Sequence, residues 1–85
     1  MKTLIDTIKQ ADEVEVDGMF ATLKYRSMGI LRKMRVFALI LDLDEEIVLK
    51  EAPKDDSGRL IDYEARHTIC DALVSRSKEL QELNK

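Results

Sequence analysis

His67 and Cys70 stand three residues apart near the C-terminal end of the chain, a spacing that puts a nitrogen and a sulfur ligand on neighbouring turns of a helix. A zinc centre needs three or four such ligands, and the chain contains one His and one Cys in all. A cysteine–histidine nucleophile also needs an orienting third group and a cleft. The expected roles are therefore a surface histidine and a partly buried cysteine. A second chemical candidate is the acidic run Asp42, Asp44, Glu45 and Glu46. Paired carboxylates transfer protons or hold magnesium, but beside an apolar segment these are expected to cap or face solvent. A third is residues 53–64, PKDDSGRLIDYE, which resembles a calcium-binding helix–loop–helix loop in placing Asp55, Ser57, Gly58, Leu60 and Glu64 at the ligand, turn and aliphatic positions. It departs at the first position, where Pro53 has no side-chain oxygen, and a capped turn before a helix is the plainer expectation.

No glycine-rich phosphate loop, GxSxG, HExxH or paired CxxC occurs. The sequence thus predicts no enzyme, no cofactor, no metal and no small-molecule substrate. What stands out is a basic cluster. Residues 24–35 hold Lys24, Arg26, Arg32, Lys33 and Arg35 and no acid, within a chain whose net charge is −3. A compact basic patch on an acidic protein suits an anionic protein surface, or phosphates as an alternative. A nucleic-acid regulator would grip through Arg26, Arg32, Lys33 and Arg35. Tyr25 is the one aromatic within the cluster, which leaves little for base stacking.

These residues need a scaffold, and 85 residues supply a single domain, 1–85. Hydrophobic residues at 45% and charged ones at 36% describe a folded chain in which Leu, Ile, Val and Met fill the core, because there are only four aromatics and no Trp. A lone cysteine fits a reducing compartment, and a bacterial or phage-infected cytoplasm is the expected location. The charged start does not read as a signal peptide. Uncharged runs such as Val36–Leu41 fall far short of a membrane span.

Residues 2–12 read as a short amphipathic helix on Leu4, Ile5, Ile8 and Ala11. EVEVDG alternates, Asp17-Gly18 is a tight-turn pair, and MFATLKYR alternates again, which predicts a β-hairpin. Ser27 is placed to cap a following helix with Ile30, Leu31, Met34, Phe37, Ala38 and Leu41 on one face. From Val36 the sequence is apolar nearly all round. Helix is favoured there, with Val36, Leu39, Ile40 and Leu43 as a second apolar face; as a strand, the segment would pair with EEIVLKEA. APKDDSG is a break. A last helix runs from Leu60 or Ile61 to about Leu83, with Ala65, Ile69, Ala72, Leu73, Leu80 and Leu83 as its stripe. The fold class expected is α+β: a short β-hairpin or small antiparallel sheet on two or three helices.

The segment VEVDGMFATLKYRSMGILRKMRVFALI, with its junction ATLKYRSMGILRKM, and the closing ALVSRSKELQEL resemble the layout of small phage tail assembly chaperones. That resemblance implies a non-enzymatic protein that coats an aggregation-prone tail protein, and it carries over no site residues. A helix of a small domain with apolar surface on two sides usually meets another chain. The expected function is accordingly protein–protein interaction, as an assembly chaperone, inhibitor or adaptor, with a protein partner or a homo-oligomer. The contact residues expected are Val36, Leu39, Ile40 and Leu43, rimmed by Arg32, Lys33 and Arg35.

Overall fold

A computed structural model describes residues 3–83, and it is helical: α1 (Leu4–Ile8), α2 (Glu13–Lys24), α3 (Ile30–Ile40), α4 (Glu45–Glu51) and α5 (Asp62–Leu83). Among the described residues no strand forms, and the one β-type contact is an isolated antiparallel bridge between Lys54 and Leu60. The α+β expectation is therefore corrected to a small helical bundle.

The correction falls on residues 13–24. In place of a hairpin turning at Asp17-Gly18, α2 runs straight through both residues. Its start is fixed by a capping box: the Asp12 carboxylate accepts from the Glu15 amide and the Glu15 carboxylate accepts from the Asp12 amide. Val16 and Met19 are buried and Phe20 and Leu23 pack against the core, a spacing of three and four that outweighs the local alternation. Tertiary burial decides between two periodicities that a short window carries together.

Ser27 also does not cap. The N-cap of α3 is Gly29, which offers no side-chain hydrogen bond. The helical preference for 36–43 agrees with α3 as far as Ile40. There the chain enters a Schellman turn, in which the Leu43 amide donates to the Ala38 carbonyl at 2.8 Å and the Asp42 amide to the Leu39 carbonyl at 3.4 Å. Asp42 takes the left-handed position usually given to glycine, with φ 54°. The turn frees Asp44 to cap α4, its carboxylate accepting from the Glu46 amide. EEIVLKEA is thus helix and not a strand partner.

The five helices bury Leu4, Ile8, Val16, Met19, Ile30, Met34, Phe37, Ala38, Val48, Ala65, Ile69 and Leu73 in one core. The helix α5 is about 33 Å long at the standard rise, and the molecule measures 47 × 30 × 19 Å. α1 is too short to hold itself. It is tied at one end by the Leu4 amide donating to Glu51 Oε1 at 2.7 Å, and just beyond the other by Arg76 Nε donating to the Ala11 carbonyl at 2.8 Å.

Two substitutions test this fold. Gly18 lies mid-helix, and a Cβ there meets Ile40 Cδ1 at an ordinary 3.6 Å. Gly18→Ala should stabilise the protein by about 1 kcal/mol, or about 5 °C in Tm; a hairpin turn at this site would make the same change destabilising. Asp42→Gly should likewise raise Tm by relieving the left-handed position, a gain of about 1 kcal/mol, and a lower Tm would contradict the Schellman geometry.

Candidate functional site

Of the eight contact residues expected from the sequence, α3 carries six, Arg32, Lys33, Arg35, Val36, Leu39 and Ile40, and the structure divides them between its two sides. Lys33 points inward. It is 1% exposed, and its Nζ donates to the Leu23 carbonyl at 2.7 Å. Leu23 O belongs to the last turn of α2, whose final carbonyls have no partner within the helix and carry the negative end of its dipole. The lysine thus caps α2 from the neighbouring helix and closes the α2–α3 angle. Burial pushes the Lys33 ammonium below the ordinary lysine range, the Arg66 charge on α5 acts in the same sense, and Asp62 opposes both. Lys33 is accordingly a joint between three helices. It does not belong to the exposed basic cluster or to the contact surface in which the sequence placed it.

Arg32, Arg35, Val36 and Leu39 lie on the other side. At 100° per residue they fall within a stripe about 100° wide. Leu39 is 81% exposed, the most exposed large apolar side chain described. Val36 is half-buried, and Arg32 and Arg35 are exposed. Arg35 Nε pairs with Glu45 Oε1 at 2.7 Å, which fastens the start of α4 to α3, whereas Arg32 makes no ion pair among the described residues. Ile40 and Leu43 are partly buried and pack on the core. The proposed four-residue apolar face is therefore narrower than the sequence suggested, with Leu39 as its projecting centre. Arg26 sits in the α2–α3 loop, exposed beside Tyr25.

The other chemical candidates separate. The His67 ring stacks on Tyr63 at 6.0 Å, and its Nε2 lies 3.3 Å from Asp71 Oδ2, all on the solvent side of α5. Cys70 is exposed, contrary to the partly buried position expected. The cleft between α1 and α5, lined by Ile5, Lys9, Asp71, Ala72 and Arg76, contains neither. Asp42, Asp44 and Glu45 serve the turn, the cap and the ion pair already described. In the 53–61 loop, Asp55 Oδ1 accepts from the Ser57 amide, the Ser57 hydroxyl and the Arg59 amide. The Ser57 hydroxyl first, then the Arg59 amide, hold this carboxyl below the usual range. Gly58, at φ 86°, completes the turn, and Lys54 Nζ caps α4 through the Leu49 carbonyl at 2.7 Å. The loop closes on itself, with its central carboxylate turned to its own backbone. Among the described residues no three His, Cys, Asp or Glu side chains converge as metal ligands, and no helix is long and apolar enough to cross a membrane.

Lys33 was missed as a structural residue because a lysine in a basic run reads as solvated. The one available signal was its spacing of three from Ile30 and four from Phe37, which carries it to the edge of the inner face of the helix. Lys33→Ala should lower stability by about 2 kcal/mol through the lost charged hydrogen bond and the lost packing of the stem. The pH dependence has a definite sign. Because the folded-state pKa lies below 10.5, the unfolded chain holds more protons at this residue between the two values. Lys33 therefore contributes rising stability as pH climbs through that window. The difference in unfolding free energy between wild type and Lys33→Met should move in favour of wild type as the pH rises towards 10.5 from below. A difference that stays constant would contradict the burial of the charge.

Comparison with protein-family models, with curated proteins and with solved structures found no match.

Proposed function

We propose that this chain is a non-enzymatic protein-binding module, of the assembly-chaperone, inhibitor or adaptor kind, that makes its contact through the outer face of α3. The observation that carries this reading is Leu39, a large aliphatic side chain left 81% in water at the centre of a stripe between Arg32, Arg35 and Val36. An apolar centre with an arginine rim is the composition of a binding hot spot. Local structure does not require it: Leu39 contributes little to the core, and a polar residue would serve the helix equally well. The resemblance to phage tail assembly chaperones supports the chaperone form of this reading through the basic start of α3 and the long final helix. Those chaperones open with a β-hairpin, and that part of the resemblance has no counterpart here, since residues 13–24 are helical.

The nucleic-acid alternative is weakened by the same geometry. Lys33 is withdrawn into the core and Arg35 is paired with Glu45, which leaves Arg26 and Arg32 as the two of the four without an ion-pair partner among the described residues. Two phosphate contacts give weak, strongly salt-dependent binding.

The test is affinity capture from the source cell with three forms of the protein. Leu39→Glu should fold with stability within about 0.5 kcal/mol of wild type and lose the captured protein. Val14→Glu, at a site equally exposed but on α2, should retain it. Capture that is unaffected by Leu39→Glu would overturn the assignment of the face. Retention of DNA or RNA that falls steeply with salt and is lost with Arg32→Gln would replace it with the nucleic-acid reading.

A further inference from the structure

The charges of α3 run against its own dipole. Its first turns carry Arg32 and Lys33 with no acid, its last turn carries no base, and Asp42 and Asp44 follow immediately beyond its C-terminal end. A helix favours acids at its N-terminus and bases at its C-terminus, each worth about 0.3–1 kcal/mol. Lys33 is accounted for, because its ammonium serves the negative end of α2. Arg32 is not: it has no ion-pair partner among the described residues, and the N-cap Gly29 brings no side-chain acceptor to this end.

Turned end for end, this pattern complements itself. We infer that the outer face of α3 pairs antiparallel with the same face of a second copy of this chain, so that each basic helix start lies against the acidic helix end of the other. Take a two-fold axis midway between Val36 and Leu39. Val36 then packs on Leu39 of the second copy and Leu39 on its Val36. Arg32, about 8 Å from the axis at the helical rise, is carried to the region of Asp42 of the second copy, where the negative end of that helix also lies. The reverse pair forms on the other side, as two-fold symmetry requires. Leu43, partly buried beside the core, supplies a surface for the stem of Arg32. The inference rests on the reading of this face as a docking surface and names its occupant.

An 11-residue helix offers only a small interface, below the area of about 1,200 Å² typical of stable complexes. The dimer is therefore a weak one, and its end-to-end charge pairs make it sensitive to salt. Sedimentation equilibrium on the full chain, from micromolar to millimolar concentration, reads this directly. The expected result is a rise from monomer towards dimer mass, reduced by raising salt from 50 to 500 mM. Leu39→Glu should abolish the rise. Arg32→Glu and Asp42→Lys should each weaken association at least tenfold, and the double exchange should recover most of it; circular dichroism checks that every variant is folded. A monomer at every concentration would overturn the inference, as would a dimer indifferent to Leu39→Glu or a double exchange no better than the singles. If the chain stays monomeric while Leu39→Glu still loses a captured protein, the self-pairing fails and the docking face stands. If the dimer behaves as described but capture ignores Leu39, the face is for self-association alone.

Discussion

A lysine buried against a carbonyl holds this bundle in its arrangement. A short chain of helices has few ways to fix the angle between successive elements, and the five-residue connection from α2 to α3 contains no proline and has its glycine only at the end. The Lys33 ammonium, donated to the Leu23 carbonyl, supplies the fixed point. It satisfies the end of α2, draws α3 alongside it, and stands near enough to Arg66 and Asp62 for the start of α5 to feel its charge. Taking a charge out of water is expensive, so the hydrogen bond contributes specificity of arrangement more than raw stability. Once Lys33 is directed inward, the rest of α3 is oriented: Met34, Phe37 and Ala38 enter the core, and Arg32, Arg35, Val36 and Leu39 face out.

The outward face is therefore a consequence of the inward one. The hydrophobic surface on α3 exceeds what α2, α4 and α5 cover, and the surplus collects at Leu39. The charges distributed around it follow the same division. Arg35 is engaged by Glu45, Asp42 and Asp44 shape the exit from the helix, and Arg32, at the end of the stripe, has no ion-pair partner among the described residues. A small apolar centre with separated charges at its two ends is suited to recognition of another helix, and to recognition of itself.

Much of the helical content was legible in the sequence, and the failures have physical causes. The last helix and its stripe followed from a 3.6-residue period that holds through Ala65, Ile69, Ala72, Leu73 and Leu80 and fails at Leu83, which is exposed; the break at 52–58 followed from Pro, Asp and Gly. The inner face of α3 was legible for the same reason, except that Leu31 lies 44% exposed. Residues 13–24 misled because Val14, Val16 and Asp17-Gly18 reproduce a strand-and-turn pattern over a few residues, although Asp12 and Glu15 already announced a helix start. In the site, Leu39 was legible as surplus apolar surface. Lys33 was not, because nothing in its own neighbourhood reveals that a carbonyl from another helix will reach it.

The orientation of Lys33 is the claim on which the outer face depends, and it is open to direct measurement by reductive methylation of the native protein with residue-resolved mass spectrometry. Lys24 and Lys50, both exposed, should be methylated readily while Lys33 is protected until the protein is unfolded. Methylation of Lys33 at the rate of Lys24 under native conditions would contradict the buried joint, and with it the outward stripe built on its other side.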